Sequence, residues 1–143
     1  MQAINIEMIR NRAAEVRQNT AKIQRYAAQP DAEFWADERN IHTVMHLLLL
    51  SIESVAAICN HLMAKVGHRA SASYSECFEG LGEMEVLDDP IVHRLIQMAR
   101  FRNILVHRYW DVDEKRVLDY ARNNLDDFEA FLTAIGRFAG QHL

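Results

Sequence analysis

Apolar residues recur along this chain in steps of three and four, the spacing that places them on one face of a helix. Ile6, Ile9, Ala13, Val16, Thr20, Ile23 and Ala27 form a first such seam and predict a helix from about Ile4 to Ala27. Gln29-Pro30-Asp31 interrupts it, because proline disfavours a helical residue before it. A second helix is predicted from about Asp31 to Val66, with Ile41, Val44, Leu48, Val55, Ile58, Leu62 and Val66 inward and Gly67 as its left-handed stop. Ser73-x-x-Glu76 reads as a capping box opening a short helix that buries Phe78 and Leu81. Asp89 followed by Pro90 reads as a cap and a first helical position. The helix it opens turns Ile91, Leu95, Met98 and Ala99 inward and reaches Arg102–Val106. Asp113 caps a last helix carrying Val117, Ala121, Leu125, Phe128, Leu132 and Ile135. No stretch alternates with period two. The pattern predicts an all-α antiparallel bundle of four main helices plus one short one, a single domain over 1–143.

Composition agrees with that reading and narrows the setting. With 143 residues, 50% hydrophobic and 25% charged, the chain has enough apolar surface for one ordinary core. Five glycines and two prolines are too few for the turns of a sandwich or barrel. The longest purely aliphatic run, Leu47–Leu50, is far short of the roughly 20 residues that span a bilayer. The charged residues near the start resemble no signal peptide, so a cytoplasmic protein without membrane attachment is expected. Cys59 and Cys77 are too few for a disulfide framework and read as buried thiols. A net charge of −4 argues mildly against a general nucleic-acid coat. The charge is distributed in blocks. Residues 74–89 hold six carboxylates and no cation, whereas residues 91–110 hold Arg94, Arg100, Arg102, Arg108, His93 and His107 and no carboxylate.

Most candidate chemistry falls away on inspection. His42 and His46 stand one helical turn apart, as helical metal sites require, but the Glu of His-Glu-x-x-His is absent and no third ligand is evident. No metal site is assigned. His46, Glu53 and Asn60 recur every seven residues, either as an exposed stripe or as groups that orient an active-site Arg or His. There is no phosphate-binding glycine loop, no Gly-x-Ser-x-Gly elbow and no Cys-x-x-Cys pair. The informative segment is Arg102-Asn103-Ile104-Leu105-Val106-His107-Arg108-Tyr109. Arg102 continues the inward row of Ile91, Leu95 and Met98, where a guanidinium must find water, a carboxylate or a subunit boundary. His107 lies about 140° further round an unbroken helix. The two converge only if the helix ends or kinks, or if a second chain completes the site. On spacing alone, an Arg and a His closing a helix C-terminus is the plainer reading.

The segment resembles the Arg-x4-6-His signature of the HEPN superfamily, including the polar residue after the Arg, here Asn103. Its continuation to Tyr109 is similar to the Arg-x4-His-x-Tyr form of HepT-type toxins. The resemblance extends to Ile52-Glu53 with Ile58-Cys59-Asn60-His61, to Ser73 through Leu81, and to Leu125-Asp126-Asp127-Phe128, from about Trp35 onward. It implies a homodimeric, metal-independent ribonuclease toxin without a cofactor, with RNA as substrate and a small nucleotidyltransferase antitoxin as partner. Arg102 would hold the phosphodiester and His107 would exchange a proton, with Asn103 supporting them. Glu53 and Arg108 would orient the site's groups or contact RNA, and Tyr109 would be the acceptor of AMP from the antitoxin. The alternative is a non-catalytic HEPN module that binds a nucleotide or a nucleotidyltransferase. A further one is a helical scaffold in which the Arg and His only close a helix.

Overall fold

In a computed structural model, which describes residues 4–140, the chain folds as α1 (Ile6–Ala27), α2 (Asp31–Ala36), α3 (Arg39–Lys65), α4 (Tyr74–Glu83), α5 (Asp89–His107), a 3-10 turn (Tyr109–Asp111), α6 (Glu114–Asn123) and α7 (Asp126–Ala139). No strand occurs among the described residues. α3 is the central helix: α1 packs along it, and α4, α5, α6 and α7 also touch it. Its Leu48, Val55, Ile58 and Leu62 are fully buried in one contiguous cluster with Ile9, Val16 and Ile23 of α1, Phe78 and Leu81 of α4, Leu95 of α5 and Phe131, Leu132 and Ile135 of α7. By length and composition alone α3 could cross a membrane. Here most of its large apolar residues are covered by the other helices instead, Leu50 being an exposed exception.

The all-α bundle is as expected, but two of the expected helices are each two. The predicted Asp31–Val66 helix breaks at Asp37, whose backbone is extended and whose carboxylate accepts from the Arg39 N–H at 3.0 Å. The predicted last helix breaks at Asn124, after which Asp126 and Asp127 lie in the first turn of α7, where acidic groups favour the helix N-terminus. Buried positions continue at helical spacing across both breaks, from Phe34 to Ile41 and from Ala121 to Phe128, so periodicity alone does not reveal them.

The caps are displaced by small steps. Asp88, not Asp89, caps α5 by accepting from the Ile91 N–H at 2.9 Å, which puts Pro90 second in the helix. Ser73 accepts from the Glu76 N–H as a capping box requires, but the Glu76 carboxylate accepts from Ala72, one residue earlier than expected. Asp113 caps α6 as read. After α3 the left-handed residue is His68 (φ 55°), not Gly67. Gly67 is needed for closeness, since a Cβ there would lie 2.9 Å from the Met63 carbonyl oxygen. Cys59 and Cys77 are buried as expected but are not free thiols. They form a disulfide between α3 and α4, with Cα atoms 6.3 Å apart. Two cysteines are too few for a framework, yet packed helices can still bring a single buried pair together.

Candidate functional site

α3 and α5 lie side by side in opposite senses. Glu53 of α3 meets Arg102 of α5, while Asn60 shares a cavity with Ala99 and Asn103. At the other end, His42 and Met45 share a cavity with Tyr109 and Trp110. The polar line His46, Glu53, Asn60 therefore runs along the motif, and its middle member touches Arg102.

Arg102 resolves the conflict of a cation on an apolar row by reaching a carboxylate. Its Nε donates to Glu53 Oε1 at 2.8 Å, and its side chain is 22% exposed. The Tyr74 hydroxyl, at the start of α4, donates to the other oxygen, Oε2, at 2.5 Å. The guanidinium carbon stands 4.7 Å from the Tyr74 ring centroid, within cation–π range. Asn103 accepts from Arg102 Nη1 at 3.4 Å. The Glu53 hydrogen bond holds Arg102 above the usual arginine range, and burial, then Glu53, pushes the Tyr74 phenol up. Both effects keep Arg102 charged and Tyr74 protonated. A polar cavity of about 250 Å³ lies beside them, lined by Asn60, Ser73, Tyr74, Ser75, Arg102 and Asn103, among others.

The other motif residues stand apart from this cluster. α5 continues helically through His107, and Arg108 is its C-cap, so no kink turns His107 back toward Arg102 within one chain. His107 is exposed. Arg108 turns to Asp111, with Nε 3.0 Å from its carboxylate. Tyr109 and Trp110, 67% and 71% exposed, project from the 3-10 turn beside a cavity of about 570 Å³ that Trp35 also lines. The structure thus brings Arg102, Asn103 and Glu53 together and leaves His107, Arg108 and Tyr109 outside that cluster. Tyr74 is the neighbour that sequence reasoning did not single out. Its only signal was its position just after the Ser73 cap. Among the described residues, no group of three or more His, Cys, Asp or Glu side chains is placed to hold a metal, so the His42–His46 pair gains no third ligand.

An all-helical bundle with Arg-Asn-x3-His-x-Tyr closing a core helix defines a class. The family model for HepT-like ribonucleases matches residues 16–135, and the chain belongs to that family. A protein of Archaeoglobus fulgidus described as a putative RNase is 39% identical over 75 residues, 52% of this chain and only 56% of the relative's length. The mRNA nuclease HepT of Shewanella oneidensis is 25% identical over 129 residues, 90% of this chain and 96% of the relative. Among solved structures, the tri-AMPylated HEPN toxin of Shewanella oneidensis in complex with MNT antitoxin matches with a TM-score of 0.83 and 25% identity, over 91% of this chain and 97% of that one.

Proposed function

We propose that this protein is the ribonuclease toxin of a toxin–antitoxin pair, one HEPN-like domain that acts in the cytoplasm as a homodimer and cuts RNA without a metal. The observation that carries this reading is the disposition of the motif. Arg102 is fixed on Glu53 at the α3–α5 seam, whereas His107 lies exposed five residues on along an unbroken helix. A phosphate held by Arg102 in one chain meets a proton-transfer group only if a second chain supplies its own His107. The seam face also carries exposed Leu50 and Val106, apolar side chains suited to a subunit contact. A two-fold axis there brings two Arg102 and two His107 to one cleft.

RNA carries its own nucleophile. The ribose 2′-oxygen forms a bond to the adjacent phosphorus as the bond to the 5′-oxygen breaks, leaving a 2′,3′-cyclic phosphate. His107, whose imidazole can both take up and give a proton, exchanges one with the attacking or departing oxygen. Arg102 stabilises charge on the phosphoryl oxygens, and Asn103 holds the guanidinium's outer edge. Arg108 contacts RNA on exchanging Asp111 for a phosphate. The test is cleavage of RNA with chelator present. Arg102→Ala and His107→Ala should each lower it by about 10²-fold or more, with folding checked by circular dichroism. Undiminished cleavage by folded His107→Ala would refute the mechanism.

The partner is a small nucleotidyltransferase antitoxin, in keeping with the MNT antitoxin bound to the Shewanella oneidensis toxin. Tyr109 is the acceptor: its exposed hydroxyl attacks the α-phosphorus of ATP and pyrophosphate leaves. The added phosphodiester charge competes with RNA for Arg108 and Arg102, and the adenosine covers His107. Co-expression with the partner should add AMP mass to the peptide containing Tyr109, and Tyr109→Phe should remove that increment. An unmodified peptide from a neutralised toxin would refute this step.

A further inference from the structure

We propose that Tyr74 is a positioning residue that keeps Arg102 available to the RNA phosphate by occupying the second oxygen of Glu53. The inference rests on the ribonuclease reading above and deepens it at the same site.

Arginine–carboxylate pairs in this molecule take both forms: Arg69 and Arg108 each hold one carboxylate oxygen without a tyrosine, while two others show the grip that a free second oxygen permits. Arg17 donates from Nε and Nη2 to the two oxygens of Glu129, at 3.2 and 2.9 Å. Arg39 grips both oxygens of Asp37 through Nε and Nη2, at 2.8–3.1 Å. This two-pronged geometry is the favoured one, and it commits the guanidinium edge that would otherwise take a phosphate. At Arg102 the grip is single. Nε reaches Glu53 Oε1, and Oε2 is taken by the Tyr74 hydroxyl. The carboxylate cannot turn its second oxygen onto the guanidinium while that hydroxyl holds it. A neutral oxygen and a ring face lie against the cation instead of a second anionic oxygen.

Two consequences serve the same end. The long Arg102 side chain is immobilised before substrate arrives, which lowers the ordering cost of binding. Its charge is only partly spent, and it borders the polar cavity of Asn60, Ser73, Ser75 and Asn103, whose lining contains no carboxylate. That cavity is where a phosphodiester meets the guanidinium. Glu53 alone would orient Arg102 and compete for it. Glu53 with Tyr74 orients it without competing.

The experiment compares Tyr74→Phe in the parent and in the Glu53→Gln background, measuring kcat/KM on an RNA substrate. Phe keeps the ring under Arg102 and removes only the hydroxyl, and thermal melts check that each variant folds. In the parent, Tyr74→Phe should lower kcat/KM about tenfold, because Glu53 becomes free to take a second guanidinium N–H. In the Glu53→Gln background the same change should cost less than about twofold, since a neutral amide does not compete for the cation. A merely structural role would give the same loss in both backgrounds. An equal loss, or no loss in the parent, overturns the proposal while leaving the ribonuclease reading intact. A parent that cuts no RNA, or whose cleavage survives Arg102→Ala, overturns that reading and the proposal with it.

Discussion

At the scale of single residues, several polar groups are wholly or partly buried in ways that a one-dimensional pattern does not register. His61 is one. Its Nε2 accepts from the backbone N–H of Asn5, at the cap of α1, which requires the neutral ring. Burial, and then nearby Lys65, hold its pKa below the ordinary value. The folded state therefore resists the proton that the unfolded chain accepts near pH 6.5. The His61 contribution is fully present above that range and is lost as pH falls through it toward the lowered folded value. Urea unfolding at pH 7.5 and 5.5 should show a larger acid loss for the parent than for His61→Gln. Equal losses would show that this histidine does not couple to folding. Arg102 was legible in part. Its place on an apolar row demanded a partner, and Glu53 stood on the polar line of the neighbouring helix, but nothing in the spacing joined the two. Tyr74 was not legible as part of the site, because its role depends on where α4 crosses the α3–α5 seam.

At the scale of elements, most helices could be read from the apolar periodicity because each buries one face against α3 or a neighbour. The two helix breaks were missed for a physical reason. A short interruption that preserves the phase of the buried stripe leaves the hydrophobic pattern intact, so only local chemistry marks it, such as Asp37 taking the Arg39 N–H. The turn between α1 and α2 is held by a side chain from far along the chain. Arg122 of α6 donates to the carbonyls of Ala27 and Gln29, each at 2.9 Å, and to the Asp31 carboxylate at 2.6 Å. These bonds satisfy backbone oxygens at the α1–α2 turn that helix geometry leaves unpaired. Arg122→Ala should cost about 1–3 kcal/mol of stability, read as a lowered urea midpoint with unchanged helical content. A midpoint equal to the parent's would mean that the turn holds without this anchor. The Cys59–Cys77 bond was missed too, since two cysteines carry no pairing information until α4 is packed on α3.

At the scale of the whole molecule, the proposed pairing of two chains rests on where the fold puts the motif. α5 gives Arg102 to the interior seam and His107 to the surface, about 140° apart on an unbroken helix. The site proposed to be shared between two chains can be tested by mixing subunits. Arg102→Ala and His107→Ala proteins, each inactive alone, are combined, exchanged through mild denaturation and refolding, and assayed on RNA with chelator present. In a mixed dimer, one Arg102–His107 pair of the shared cleft loses both groups while the other pair keeps the Arg102 of one chain and the His107 of its partner. With half of the dimers mixed and one of two pairs intact, cleavage should return to about a quarter of the parent rate. Mixed dimers, verified by mass, that stay as inactive as either variant alone would contradict a site shared between two chains.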